Sequence, residues 1–306
     1  MAGWQKGKGW GWIWGDDDEI GALNAITPES VLNAMRLVRK GKIEDLGVGV
    51  DRRSFRWVGH AATEIMSYRT PLGERVAKDD VPGANEPRWH STAIFTCDNV
   101  GTHLDGLAHI TVGKGNETHW YNGHGEIEYG GDFGVLKAGA DKFPPIVARG
   151  VLLDVAGFKG VESLPTSYGI TIDDLRATMS WAAIQLRMGD VVLVRTGTGR
   201  YWGEAGANHA AIAGPDTAGI TLESAHWLIE EHGPILIGSD TSTVEVVPYE
   251  ESVHVYLLLE QGVPLGELHY LEKLAADRVY EFVYVATTNK IRGAAAGVAM
   301  RPFAMY

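Results

Sequence analysis

From residue 165 onward, candidate helices and strands take turns along the chain, and no other feature restricts its fold as much. A helix opened by Thr171 and running through Trp181 to Arg187 precedes the β-branched run Val191 to Thr196. A second, from Thr221 to His232, precedes Ile235 to Ser239. A short third around Ser252 to Gln261 precedes an extended Val263 to Leu268, and Val279 to Ala286 is the last β-rich run. Helices interleaved with strands imply α/β layering, because each helix must bury its apolar stripe against a sheet.

Upstream the pattern is sparser. Thr27 is a candidate N-cap for a helix to Lys40, with Pro28 in its first turn, an apolar stripe of Val31, Leu32, Met35 and Val38, and Gly41 as the stop. Ile43 to Val48, Thr92 to Thr96 and Val151 to Val155 read as short strands. Long loops at 70–90 and 111–145 separate them, and loops of that length in a compact domain usually build a site. With no internal repeat or low-complexity linker, the reading is one domain over residues 27–306, preceded by an arm at 1–26. Trp4, Trp10, Trp12 and Trp14 crowd that arm among glycines. Four indoles need burial, either on the parent domain or on a second subunit.

Charge removes several partners. The 27 basic residues face 39 acidic ones, a formal charge of −12, and such a mean field repels nucleic acid and anionic membrane surfaces. No apolar run reaches the roughly 20 residues of a membrane helix, so a cytoplasmic protein is expected. Cys97 is the single cysteine, which excludes an intrachain disulfide and leaves His, Asp, Glu or Asn to bind any metal.

The chemistry concentrates in Cys97-Asp98-Asn99-Val100-Gly101-Thr102-His103-Leu104-Asp105-Gly106-Leu107-Ala108-His109. If the preceding strand continues here, alternation puts Asn99, Gly101, His103 and Asp105 on one face. An imidazole and a carboxylate two residues apart could then bind zinc, manganese or iron, or could form a structural hydrogen-bonded pair. His109, just beyond Gly106, is placed to act as a general acid or base from outside the ligand set.

Gly101-Thr102-His103-Leu104-Asp105 followed by His109 resembles the signature of the metal-dependent cyclase family, which includes bacterial kynurenine formamidases and isatin hydrolases. Similar segments recur along the chain. They are Trp14-Gly15-Asp16 through Gly21-Ala22-Leu23-Asn24, Trp120-Tyr121-Asn122-Gly123, Gly150 to Val155, Gly189 to Leu193, Gly238-Ser239-Asp240 with Glu245, and the pair His254 and Glu267. The resemblance implies a swivelling β/β/α fold, a homo-oligomer (dimer or tetramer), and a divalent metal, zinc or manganese, that activates water. By the same resemblance His103 and Asp105 match metal ligands, His254 and Glu267 match a pair that completes a second metal position in the formamidases, and His109 matches the catalytic histidine. One position departs: the family's usual first histidine ligand is Asn99 here, whose carbonyl oxygen is a weaker ligand for zinc.

The expectation is a metal-dependent hydrolase, of amidohydrolase or lactonase type, acting on a small cyclic or aromatic carbonyl compound. Trp10, Trp12 and Trp14 are expected to wall its pocket, with Trp120 and Tyr121 as further substrate contacts. The alternatives are a cyclase or dehydratase working through an enolate, and an inactive small-molecule-binding relative, suggested by Asn99.

Overall fold

The computed structural model describes residues 3–78, 83–202, 208–212, 216–297 and 299–306. Among them, nine strands form one mixed sheet. Their spatial order is Ile43–Asp45, Phe303–Met305, Glu281–Ala286, Ile146–Asp154, Val191–Arg195, Leu236–Ser239, Leu265–Glu267, His103–Asp105 and Ala296–Gly297. The four from Ile146–Asp154 to Leu265–Glu267 run parallel, and antiparallel strands flank them on both sides.

The alternation read from the sequence builds this parallel centre. Helices Ile172–Ala182 and Leu222–His232 and a π-helical turn, Val255–Glu260, make its crossovers. Each of the two longer helices starts where a threonine hydroxyl accepts a backbone N–H: Thr171 from Asp174, and Thr221 from Ser224. Covered on both faces, the parallel strands are largely apolar, with Val191, Val192, Leu193 and Val194 all buried, while charged residues such as Asp154, Arg195 and Glu267 fall at their carboxyl ends.

The first helix differs from expectation. Thr27 caps it in a reciprocal pair with Ser30, but it spans Pro28–Met35 and stops well short of Lys40. Leu32 and Met35 of the expected stripe are exposed, while Ala34 is buried. A small side chain at that contact lets the helix sit close against Ile146–Asp154.

The tryptophan arm packs on its own chain. Trp10 is buried in the main core and donates its indole N–H to Pro234 O at 2.9 Å. Trp4 and Trp12 likewise donate to Ile229 O (2.6 Å) and Leu259 O (2.7 Å), and Trp14 stacks on Trp10. The first two residues of the arm lie outside the described residues. Among the described residues no helix is long and apolar enough to cross a membrane.

Candidate functional site

The site lies toward the carboxyl ends of the parallel strands, the usual location in α/β sheets. Glu267 ends the strand Leu265–Glu267, which pairs antiparallel with His103–Asp105 so that Glu267 stands opposite His103. Opposed residues share a face, and alternation puts Asp105 on that face too. Three side chains from two short strands are thereby brought together with little freedom to move.

His103 Nε2 lies 3.4 Å from Asp105 Oδ1 and 3.4 Å from Glu267 Oε2. One ligand atom from each of the three falls within 4.8 Å of the others. His254, at the start of the π-helical turn, brings Nε2 to 3.4 Å from Glu267 Oε1 and 3.7 Å from Asp105 Oδ2. Its Nδ1 bonds the Glu245 carboxylate, which also accepts the Val253 N–H, so the ring is held from behind.

His103 Nδ1 lies 2.8 Å from the Gly101 carbonyl, which can only accept, so Nδ1 carries a proton and Nε2 is the nitrogen that a metal would take, in place of its own proton. That Nε2 and Asp105 Oδ2 are both buried without a hydrogen-bond partner. Buried polar atoms rarely stay unsatisfied, and these two face the same small space as Glu267. A nitrogen and several carboxylate oxygens around one point form a donor set that fits zinc or manganese.

Charge in the cluster is strongly coupled. Burial alone would lower His103, but the adjacent Asp105 and Glu267 carboxylates outweigh it and raise its pKa to about 9. Burial likewise opposes a charged His254, yet Glu245 and Glu267 hold it well above the usual imidazole value. Burial also works against ionised Asp105, but His109 and His103 keep its pKa below the ordinary carboxylate range. Glu267 shifts upward, through burial first and the neighbouring Asp105 charge second.

Asn99 reaches the cluster by another route than a continued strand. The strand Ser91–Phe95 belongs to a separate two-stranded sheet, and the chain turns through Gly101 at φ +60° before entering His103–Asp105. A Cβ there would come within 2.6 Å of Val50 Cγ2, so glycine is required for the turn. Asn99 Nδ2 then donates to Asp105 Oδ1 at 3.0 Å. The expected carbonyl ligand is replaced, in this arrangement, by an amide donor that orients Asp105.

His109 stands at the edge of the cluster, partly exposed, with Nε2 3.8 Å from Asp105 Oδ1 and its ring 6.4 Å from that of His254. His109, His254, Glu267 and Asn99 line a cavity of about 320 Å³. Trp57, His60, Ser242 and Tyr249 also line it, and the Trp57 indole N–H donates to Ser242 O at 3.1 Å. None of these four was picked out from the sequence as a site residue. Trp57 and His60 sit in an aperiodic stretch, where the only local signal is an aromatic and a histidine around Gly59.

The expected aromatic wall is elsewhere. Trp10, Trp12, Trp14, Trp120 and Tyr121 do not line this cavity. Trp120 and Tyr121 are fully buried, and the Tyr121 hydroxyl donates to Asp18, tying the arm to the core. The Gly197 and Gly199 amides donate to the buried Asp240 carboxylate, which holds the turn after the strand Val191–Arg195.

The cyclase family model matches residues 44–246, two thirds of the chain, and the chain belongs to that family. A crystal structure described as a novel cyclase superposes with a TM-score of 0.85 at 29% identity, covering 98% of each chain. Isatin hydrolase A from Labrenzia aggregata, bound to benzyl benzoate, gives a TM-score of 0.60 at 17% identity over 86% of this chain and 93% of its own. An isatin hydrolase bound to the product analogue thioisatinate gives 0.60 at 14% identity, over 91% and 98%. At those lower identities the likeness is one of fold. No curated protein matches the sequence.

Proposed function

We propose that this chain is a metal-dependent hydrolase that opens an amide, imide or lactone bond of a small cyclic or aromatic carbonyl compound. One observation carries the reading: His103 Nε2 and Asp105 Oδ2, buried and without a hydrogen-bond partner, converge with Glu267 beside a cavity of about 320 Å³. Membership of the cyclase family and the fold shared with isatin hydrolases support it. The cavity is at the small end of ligand sites, which suits a compact substrate.

His103, Asp105 and Glu267, with His254 beside them, would hold a zinc or manganese ion, whose Lewis acidity polarises a substrate carbonyl and lowers the pKa of water. Asn99 fixes Asp105 through Oδ1 and so directs Oδ2 into the cluster. Glu245 does the same for His254 by holding Nδ1. His109 lines the cavity outside the three-residue cluster, in position to take a proton from water and return it to the leaving nitrogen or oxygen.

The test is a screen of formamides, cyclic imides and lactones against the purified chain with zinc, manganese or no metal. The expected result is metal-dependent turnover of one class, with a product heavier by one water. A product of unchanged or lower mass would make the chain a cyclase or dehydratase instead. Failure to retain either metal would sink the reading altogether.

A further inference from the structure

Most polar side chains that line the cavity beside the cluster are committed within the protein. Asn99 donates to Asp105, and the Thr243 hydroxyl donates to the Glu245 carbonyl at 2.8 Å. Ser252 Oγ donates to the Glu245 carboxylate, which also holds His254. His60 is not committed in this way. It lines the cavity, yet its Nδ1 is buried with no hydrogen-bond partner among the described residues. Ser242 Oγ, on the same lining, shares that condition. Unsatisfied polar atoms beside a cavity carry a cost that an occupant can remove.

Trp57 ties these two residues together. Its carbonyl accepts the His60 N–H at 3.1 Å, and its indole N–H donates to Ser242 O at 3.1 Å. Buried Phe55 meets the same indole edge-on, with ring centroids 5.8 Å apart. So held, the indole is a fixed flat surface on the cavity, which suits a planar ring.

Charge narrows what that ring can carry. Glu245 and Glu267 line the cavity, Asp105 stands in the adjoining cluster, and no lysine or arginine occurs among the described lining residues. A divalent ion would offset only two of those three carboxylate charges. Burial first, and the charge of His109 second, lower the pKa of His60, so its ring is neutral near pH 7 and offers one donor and one acceptor. A carboxylate on the substrate would meet like charges and find no cationic partner.

We propose that His60 is a specificity-determining residue, hydrogen-bonded to the second carbonyl of a flat, uncharged cyclic imide whose first carbonyl faces the cluster, and that the cavity rejects substrates bearing a carboxylate. A lactone or simple cyclic amide has no second carbonyl and leaves the imidazole unpaired, which is the kind of loss that polar sites discriminate against. The inference rests on the hydrolase reading above and narrows it to one substrate class.

Three probes of one shape test it at pH 7. They are phthalimide, isoindolin-1-one, which lacks the second carbonyl, and 4-carboxyphthalimide, which adds a charge. Stopped-flow quenching of tryptophan fluorescence in the full chain, incubated with zinc or manganese, reads binding before any ring opens. Phthalimide is expected to bind at least roughly 10-fold tighter than either of the others. His60→Phe keeps a flat ring without nitrogen, so it should erase the preference for phthalimide over isoindolin-1-one while metal content and isoindolin-1-one affinity stay unchanged. His60→Gln should retain part of the preference, because an amide can still donate. Should His60→Phe misfold, His60→Ala is read for the same loss. Equal affinity for phthalimide and 4-carboxyphthalimide, an undiminished preference without the imidazole, or no binding of phthalimide overturns the proposal. The two readings fail separately: selective binding without hydrolysis sinks the hydrolase reading, and hydrolysis without selectivity sinks this one.

Discussion

Asn99 donates its Nδ2–H to Asp105 Oδ1 at 3.0 Å, across a turn that Gly101 makes possible at φ +60°. The asparagine thus acts on the carboxylate and leaves its other oxygen, Oδ2, for the cluster. Removing that donor by Asn99→Ala should lower metal affinity roughly 10- to 100-fold, the usual effect of losing a group that orients a ligand. Asn99→His should tighten zinc by adding an imidazole beside the same carboxylate. Chelator competition measures both. Unchanged affinity in both variants would remove Asn99 from the account.

The three-sided cluster makes a simpler demand. His103→Ala or Asp105→Ala should each abolish most divalent metal binding, since either removes one of three converging donors. Elemental analysis after dialysis reads the outcome, and full occupancy in either variant would refute the ligand assignment.

How much of this was legible in the sequence depended on whether the signal was local. Thr171 and Thr221 cap their helices as read, because a cap is a three-residue affair. The alternation after residue 165 gave the parallel centre for the same reason. His103 and Asp105 share a face as the spacing implied, although the strand holding them is only three residues long. Asn99 was placed on that face by assuming a continuous strand, and the left-handed Gly101 defeats the assumption. Trp57 and His60 reach the cavity through tertiary packing of an aperiodic loop, and no local period marks such contacts. The arm shows the converse, for its tryptophans announced burial without saying against what.

The charge balance predicts how the metal-free protein responds to pH. His103 is raised to about 9, against burial, by the Asp105 and Glu267 carboxylates beside it. A base raised on folding stabilises the native state fully below its unfolded pKa near 6.5, and that contribution disappears as pH climbs through about 9. Stripped of metal, the protein should therefore melt at a lower temperature near pH 9 than near pH 6, through a contribution of up to roughly 3 kcal/mol. Metal must displace the same proton, so metal affinity should rise over this window. Scanning calorimetry after chelation checks the first statement, and a difference that persists unchanged in His103→Gln would assign it to another group.

The arm bears weight in the monomer. Trp10 is buried in the main core with its indole N–H bonded, so Trp10→Ala should cost about 3–5 kcal/mol, as large aromatic deletions do. Denaturant titration gives the number. A loss below about 1 kcal/mol would mean that the arm is readily detached and that its proper partner is elsewhere.

His109 separates proton transfer from metal binding. It lines the cavity and stands 3.8 Å from Asp105, close enough to influence the carboxylate but outside the His103, Asp105 and Glu267 cluster. His109→Ala should accordingly keep its metal and lose roughly 10²- to 10⁴-fold in turnover, the range expected when a general acid or base is removed. His109→Gln should behave alike, because an amide fills the space yet cannot carry a proton at neutral pH. Metal content measured alongside rate makes the two roles distinguishable. If His109→Ala loses its metal, the residue is a ligand, and the proton carrier must be sought among the other groups lining the cavity, first of all His60.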